Sequence, residues 1–360
     1  MNSKLNTSFT NITTWNKRNF VNTGGTRAKF VALNEKGEMY YFKGAKETKE
    51  GGIRYPLEFW SEIISSKIGQ LLGFNMLDYN IGYDNNHLQK IGCLSKSMID
   101  EENERLAEGV TYLRGFAPDY QPDKDKKRYT FQFIKDTLNH HNIDWHLNDI
   151  IDTIIFDAIV GNSDRHQENW GFIRKYIKVS IDRQTAKRLN LITKTTFRDK
   201  IKSFFNKIFL SFNSDDDLSF KNLQFEVNID FRNTTKFSPI YDSGCCLARE
   251  KSEQEIIKMN NDLEIVKSYI NKGKSEIHWN EVKISHFQLI ENLLIDYEKR
   301  VKERLYIVKK NYDADLIKDL IINIDNNLPD FCNDFKLTQE RKEVIIKIVN
   351  LRIQKVLSLI

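Results

Sequence analysis

The stretch Leu147–Val160 carries Ile150, Ile151, Ile154, Ile155, Ala158 and Ile159 at helical spacing. It then breaks at Gly161-Asn162 into the polar run Ser163-Asp164-Arg165-His166-Gln167-Glu168-Asn169. A buried helix that stops in such a run aims the loop's side chains at one fixed place, which narrows the folds open to the chain. Asp164 and Asn169 are spaced so that one short turn brings a carboxylate and an amide oxygen to a common edge. Much later, Tyr241-Asp242-Ser243-Gly244 leaves the apolar segment Phe237–Tyr241 with a second carboxylate. One carboxylate to accept a hydroxyl proton, with an amide oxygen and another carboxylate for Mg²⁺, is the polar half of a phosphoryl-transfer site.

Each piece alone has an ordinary reading. An Asp-Arg-His run after a helix is more often a capped turn with a surface salt bridge, and a lone lysine in a strand means little. The pieces gain meaning from their order. Phe30–Leu33, a turn at Asn34–Gly37 and Glu38–Lys43 read as a hairpin, so Lys43 ends an aromatic strand. The next segment, Pro56 to Leu72, has a helical apolar stripe of Leu57, Trp60, Ile63, Ile64, Ile68, Leu71 and Leu72 and stops at Gly73. Glu58 and Glu62 both lie on it, and either could meet Lys43. A phosphate-binding lysine, a helix glutamate, an Asp-x4-Asn loop and a second Asp follow one another in the order a protein kinase uses.

The runs GGTRAKF, YYFKGA, YPLEFWSEIISSKIGQLLGF, FDAIVGNSDRHQENWGFI and SPIYDSG resemble the HipA-like Ser/Thr protein kinases, and particularly their compact CtkA-like members, from about Thr23 to about Glu250. The resemblance implies an α+β, bilobal protein-kinase-like fold akin to phosphatidylinositol kinases, with a small β-rich N-lobe (1–97) and a larger, mainly helical C-lobe (98–360). It places the phosphate-contacting lysine on Lys43, the helix glutamate on Glu62 rather than Glu58, the catalytic aspartate on Asp164 and the Mg²⁺ ligands on Asn169 and Asp242. ATP and Mg²⁺ are the implied cofactors. Thr23, Gly24, Gly25 and Thr26, one hairpin before Lys43, would cover the phosphates with backbone amides and hydroxyls; otherwise they form an ordinary turn. An interlobe hinge at Ser97, Met98 and Ile99 would face adenine. His166 either orders the catalytic loop by a hydrogen bond or packs beneath it. Full-length HipA toxins carry an extra segment before the nucleotide-binding lobe, whereas this chain reaches Lys43 almost at once, so pairing with a HipB-like DNA-binding antitoxin is not expected.

The remaining features set bounds. With 55 basic and 50 acidic residues interspersed, the net charge of +5 gives no reason to require nucleic acid. Cys93, Cys245, Cys246 and Cys332 are scattered and form neither a disulfide framework nor, with His140, His141 and His146, a zinc pattern. The N-terminus has no signal-peptide core, and no apolar run approaches the roughly 18 residues of a membrane span. A cytoplasmic protein is expected, with delivery into a host cell by a signal-peptide-independent route left open. Strands are expected at Asn75–Gly82 and Ile91–Met98. Residues 174–236 read as a semi-structured insertion. Helices follow near Glu253–Lys272, Lys283–Val308, Asp315–Ile324 and Gln339–Leu359, the last with a Thr338 cap and an apolar face of Ile345, Ile348, Val349, Ile353, Val356, Leu357 and Ile360.

The expected activity is Mg-assisted γ-phosphoryl transfer from ATP to a Ser or Thr hydroxyl of a protein, with autophosphorylation. Two rivals stand beside it: a lipid or small-molecule kinase on the same fold, and a catalytically silent nucleotide-binding interaction protein.

Overall fold

The computed structural model describes residues 6–18, 27–47, 52–182, 222–228 and 235–360. They fall into two compact units, one of Met1–Met98, Gly109–Trp170 and Pro239–Ile360, the other of Ile99–Glu108 and Gly171–Ser238.

The first unit opens with a seven-stranded sheet of β1 (Phe9–Asn11), β2 (Asn16–Arg18), β3 (Arg27–Leu33), β4 (Met39–Glu47), β5 (Ile53–Arg54), β6 (Asn80–Tyr83) and β7 (Ile91–Lys96). The order is β1-β6-β7-β4-β3-β2, with β5 beside β4; only β1 and β6 run parallel. The β3–β4 hairpin turns at Asn34, whose side-chain oxygen accepts from the amides of Lys36 and Glu38 at 3.0 and 2.9 Å. Alternation along β4 separates two tasks. Phe42 is fully buried in a cluster with Ile12, Phe30, Ala32 and Leu94, stacking on Phe30 at 4.8 Å, while Lys43 takes the opposite face. Lys43 stands opposite Lys29 in β3 and Cys93 in β7. The backbones crowd here, because a Cβ at Gly92 would overlap the Lys43 carbonyl oxygen.

The expected strand at Asn75–Gly82 starts only at Asn80. The residues before it pair elsewhere: the Leu77 amide donates to the Ile240 carbonyl at 3.0 Å, and the Ile240 amide donates to Asn75 at 2.8 Å. That exchange holds the segment leading into Asp242 against the N-terminal part of the unit.

Helix α1 (Glu58–Leu71) crosses the Lys43 face of the sheet and ends where Gly73 and Phe74 return their amides to Gln70 and Gly69. It is not amphipathic in the way its apolar stripe suggests. Ser61, Glu62, Ser65, Ser66 and Lys67 are as buried as Ile63 and Ile64. Its polar face meets protein instead of water: Ser61 donates to Cys246 O at 3.3 Å and Ser66 to Leu77 O at 2.6 Å.

The helical part contains α2 (Gly109–Phe116), α3 (Phe131–His140), α4 (Leu147–Val160), α5 (Glu253–Asn261), α6 (Leu263–Lys272), α7 (His286–Asn311), α8 (Ala314–Ile322) and α9 (Gln339–Leu357). Local chemistry accounts for the boundaries that differ from expectation. Asp262 turns extended and accepts from the Glu264 amide, which splits 253–272 into α5 and α6. Ser285 caps α7, so that helix begins at His286; it bends at Tyr297. Asp313 accepts from the amides of Asp315 and Leu316 and starts α8 a residue early. Thr338 caps α9 as read, and Ile345, Ile348, Val349, Ile353 and Val356 are buried while Ile360 is exposed. Arg300 and Arg304 of α7 both pair with Asp152 of α4, which ties these helices together.

In the second unit, β8 (Glu104–Glu108), β9 (Gly171–Asp182), β10 (Asn222–Asn228) and β11 (Lys236–Phe237) form a four-stranded antiparallel sheet. Part of the expected 174–236 insertion is therefore the β9–β10 pairing, from Tyr176↔Asn228 to Asp182↔Asn222; the intervening residues lie outside those described.

The crowding at Gly92 yields a stability prediction. Gly92→Ala should destabilise the protein by about 1–3 kcal/mol, because the methyl meets backbone that cannot rotate away. Urea denaturation of the variant against the parent measures it.

Candidate active site

Helix α4 is buried over most of its length, and it carries Asp157, 3 % exposed, between Phe156 and Ala158. A carboxylate so placed must be paired. Gly161, at φ 77°, ends the helix in the left-handed region, and the amides of Gly161 and Asn162 return to the Asp157 carbonyl at 2.8 and 3.0 Å. The chain thus folds back over the Asp157 side chain. Arg165, 1 % exposed, meets that carboxylate through Nε at 2.9 Å and Nη2 at 2.8 Å, a bidentate fork. Asn162 also donates to Asp157 Oδ1 at 3.0 Å.

The other donors of the Arg165 guanidinium hold the loop and the Asp242 turn. Nη1 donates to the carbonyls of Asn169 at 2.8 Å and Tyr241 at 2.5 Å, and Nη2 to Ser243 Oγ at 2.9 Å. One side chain therefore fixes both ends of the candidate machinery, the Asp164–Asn169 loop and the Asp242 turn. Burial works against its charge, but the Asp157 carboxylate outweighs that and lifts the guanidinium above its ordinary pKa.

Within the loop, the Asn169 side-chain amide donates to the Asp164 carbonyl at 2.8 Å, which leaves its Oδ1 turned away from that carbonyl. Asn169 is 5 % exposed, while Asp164 is half-buried and accepts from the Cys245 thiol at 3.1 Å through Oδ2. His166 stays local: its ring is a third exposed, and Nδ1 lies 3.4 Å from the Glu168 amide and 3.5 Å from the Glu168 carboxylate.

The Lys43 ammonium lies between two carboxylates. It pairs with Glu62 Oε1 and, at 2.5 Å, with Asp242 Oδ1. Lys29, opposite Lys43 in β3, lies 3.7 Å from Asp242 Oδ2. Two lysines directly across a sheet repel; Asp242 offsets that repulsion. Glu62 is 1 % exposed, and its second oxygen accepts from the Ser243 amide at 2.8 Å. Glu58 turns away to pair with Arg249. Asp242 adopts φ 53°, unusual for a non-glycine residue, and its amide donates to the Tyr79 hydroxyl at 3.3 Å. Burial, reinforced by the charges of Glu62 and Asp242, pushes the Tyr79 pKa well up and keeps the phenol protonated.

The structure thus brings Lys43, Glu62, Asp242 and, through Arg165, the Asp164–Asn169 loop into one connected network. Ser97, Met98 and Ile99 follow β7 as half-buried residues, and the Ser97 amide donates to Met39 O at 2.8 Å. Thr23, Gly24, Gly25 and Thr26 lie outside the described residues. Sequence reading passed over Arg165, Asp157, Ser243, Tyr79 and Lys29. Asp157 did leave a signal, an acid inside the apolar run Ile154–Val160, and Arg165 stood inside the motif without a role. Nothing local marks Tyr79 or Lys29.

This arrangement is that of a protein-kinase-like fold, bilobal, with a β-rich N-terminal part and a helical C-terminal part. The chain is similar in structure to the crystal structure of a Helicobacter pylori proinflammatory kinase, CtkA, with a TM-score of 0.65 at 16% identity over 98% of this chain and 96% of that one. The Golgi casein kinase matches with a TM-score of 0.35 at 12% identity over 99% of this chain and 73% of that one. In sequence, no family model and no curated protein matches the chain.

The Arg165 fork yields a coupling prediction. Arg165→Ala should cost about 3–5 kcal/mol, because it strands the Asp157 charge in the core. Adding Asp157→Leu to that variant should recover a large part of the loss. A double-mutant cycle by chemical denaturation reads the coupling.

Proposed function

We propose that this chain is an ATP-dependent, Mg-assisted Ser/Thr protein kinase of the HipA/CtkA-like type. The observation that carries the reading is the Lys43 ammonium held between Glu62 and Asp242, with Arg165 tying the Asp242 turn to the Asp164–Asn169 loop. The similarity to the CtkA kinase fold over nearly the whole chain supports it.

No cluster of three or more His, Cys, Asp or Glu side chains that could hold a metal by itself occurs among the described residues. Magnesium in phosphoryl-transfer sites needs only one or two carboxylates, with substrate phosphates and water completing its shell. The Asp242 carboxylate and the Asn169 Oδ1 are hard oxygen donors of that kind. The residues fit. When bound, Mg-ATP supplies the γ-phosphoryl group and the charge that neutralises it in transfer.

The chain's own residues then have distinct tasks. Lys43 delivers a compact charge on a flexible stem to phosphate oxygens, and Glu62 keeps that stem in place. Asp164 orients the acceptor hydroxyl and takes its proton; half exposure leaves its carboxylate accessible. Asn169 and Asp242 would hold the metal. Positioning and electrostatics supply most of the rate. No helix among the described residues is long and apolar enough to cross a membrane.

Incubation with Mg-ATP should give autophosphorylation on Ser or Thr, located by phosphopeptide mapping. Asp164→Asn should keep the fold and nucleotide binding but lower turnover by about two to four orders of magnitude, whereas Asp242→Asn should weaken nucleotide affinity and the response to Mg²⁺. Wild-type turnover in Asp164→Asn would remove Asp164 from the chemistry.

Lys43→Met should cost far more activity than Glu62→Gln, because the first removes the phosphate contact and the second only its support. Steady-state kinetics of the two single variants decides between them; an active Lys43→Met would overturn the lysine's role.

A further inference from the structure

A cleft of about 510 Å³ opens beside the catalytic-loop candidate, lined among others by Gly161, Ser163, Cys245, Tyr269 and Glu250. Ser163 precedes Asp164 in the chain, and Cys245 donates its thiol to the Asp164 carboxylate, so the cleft begins beside the proposed proton acceptor. Its other walls are basic: Arg249, Lys272, Lys274, Lys283 and Arg352. Glu250 is the single acid among the lining residues.

These cations differ in how they are satisfied. Arg249 pairs with Glu58 and Lys283 with Glu276. Lys272 and Lys274 are exposed and have no carboxylate partner among the described residues. Arg352 is the unusual one. It is 1 % exposed, donates to the carbonyls of Ala158 at 2.7 Å and Ile270 at 3.2 Å, and lies 5.2 Å over the Phe287 ring. Its Nη2 is buried with no hydrogen-bond partner, and no carboxylate reaches the guanidinium among the described residues.

A buried, unpaired charge is costly unless a counter-charge arrives. Burial pulls the Arg352 guanidinium down to about 10, against the smaller raising effects of Tyr269 and Cys246. The neighbouring His286 offers no compensation, since burial, with the fields of Arg352 and Lys283, holds it neutral. Arg352 also packs under the start of the loop, its guanidinium carbon 3.0 Å from where a Cβ at Gly161 would sit. An anion seated on this guanidinium would therefore lie close to the loop that carries Asp164.

We propose that this cleft receives an acidic side chain of the protein substrate, a phosphoserine or a carboxylate, a few residues from the acceptor hydroxyl. The proposal rests on the kinase reading, and it adds the substrate class. Arg352 Nη2 supplies the buried contact, and Lys272 and Lys274 supply the surrounding field. A planar guanidinium with a free N–H suits a phosphate or carboxylate oxygen. An extended peptide advances about 3.3 Å per residue, so a cleft that starts at Asp164's neighbours corresponds to positions roughly two to four residues from the acceptor.

The test uses the full chain without nucleotide and three fluorescent peptides that share one acceptor serine and carry phosphoserine, aspartate or lysine three residues away. Fluorescence anisotropy should rank phosphoserine above aspartate above lysine, with about tenfold between the extremes. Lys272→Glu combined with Lys274→Glu changes only exposed positions, so folding, checked by thermal melting, should survive. In that double variant the ranking should flatten towards unity. Equal binding of the three peptides, an unchanged ranking in the double variant, or protection by inorganic phosphate with no peptide preference would overturn the proposal. The same peptides with Mg-ATP separate the two readings. Preference in binding without transfer removes the kinase and keeps the cleft; transfer without preference removes the cleft and keeps the kinase.

Discussion

Arg165 is the side chain through which the rest of the site is assembled. A guanidinium with its carboxylate partner in a dry core is held only if every donor finds an acceptor, and here the acceptors come from the helix end, the loop and the Asp242 turn. That requirement locks the Asp164–Asn169 loop to Tyr241 and Ser243, which no local preference would do. Geometric precision at the candidate site therefore derives from the desolvation of one ion pair beneath it.

The second organising feature is the use of charge across the sheet and α1. Lys29 and Lys43 face each other between strands, and Asp242 and Glu62 supply the opposing charge. The Lys43 ammonium is satisfied by both carboxylates, and Glu62, buried and fixed by the Ser243 amide, is the more firmly held of the two. Glu58, one turn away on the same helix, serves a different purpose by holding Arg249 at the wall of the basic cleft.

Much of the first unit was legible because its signals are local. The β3–β4 hairpin followed from Asn34–Gly37 between apolar runs, α4 from its isoleucine spacing, and the α9 start from Thr338. Boundaries slipped where a single capping aspartate, Asp262 or Asp313, did the work. The Asn75–Asp78 segment looked like a strand from its residues but pairs with Ile240 instead, a contact between residues far apart in the chain. The stripe on α1 was read as one buried face, whereas its polar face is buried too, because partners come from sequence-distant segments at Leu77 and Cys246.

By itself, the sequence determined which residue types stand at the ends of which elements: a lysine closing an aromatic strand, acids on the next helix, and an aspartate and an asparagine in one polar loop. These are consequences of periodicity and turn chemistry over a few residues. Between Glu58 and Glu62 the residues themselves left the partner of Lys43 open and only the resemblance chose Glu62; tertiary structure alone decided that Arg165 joins Asn169 to Tyr241, and that Arg352, in the last helix, lies under Gly161 with no counter-charge among the described residues. The physical reason is desolvation. A charge in the chain sequence carries no mark of where it will be buried, and only the packed fold sets which partners remain once water is gone.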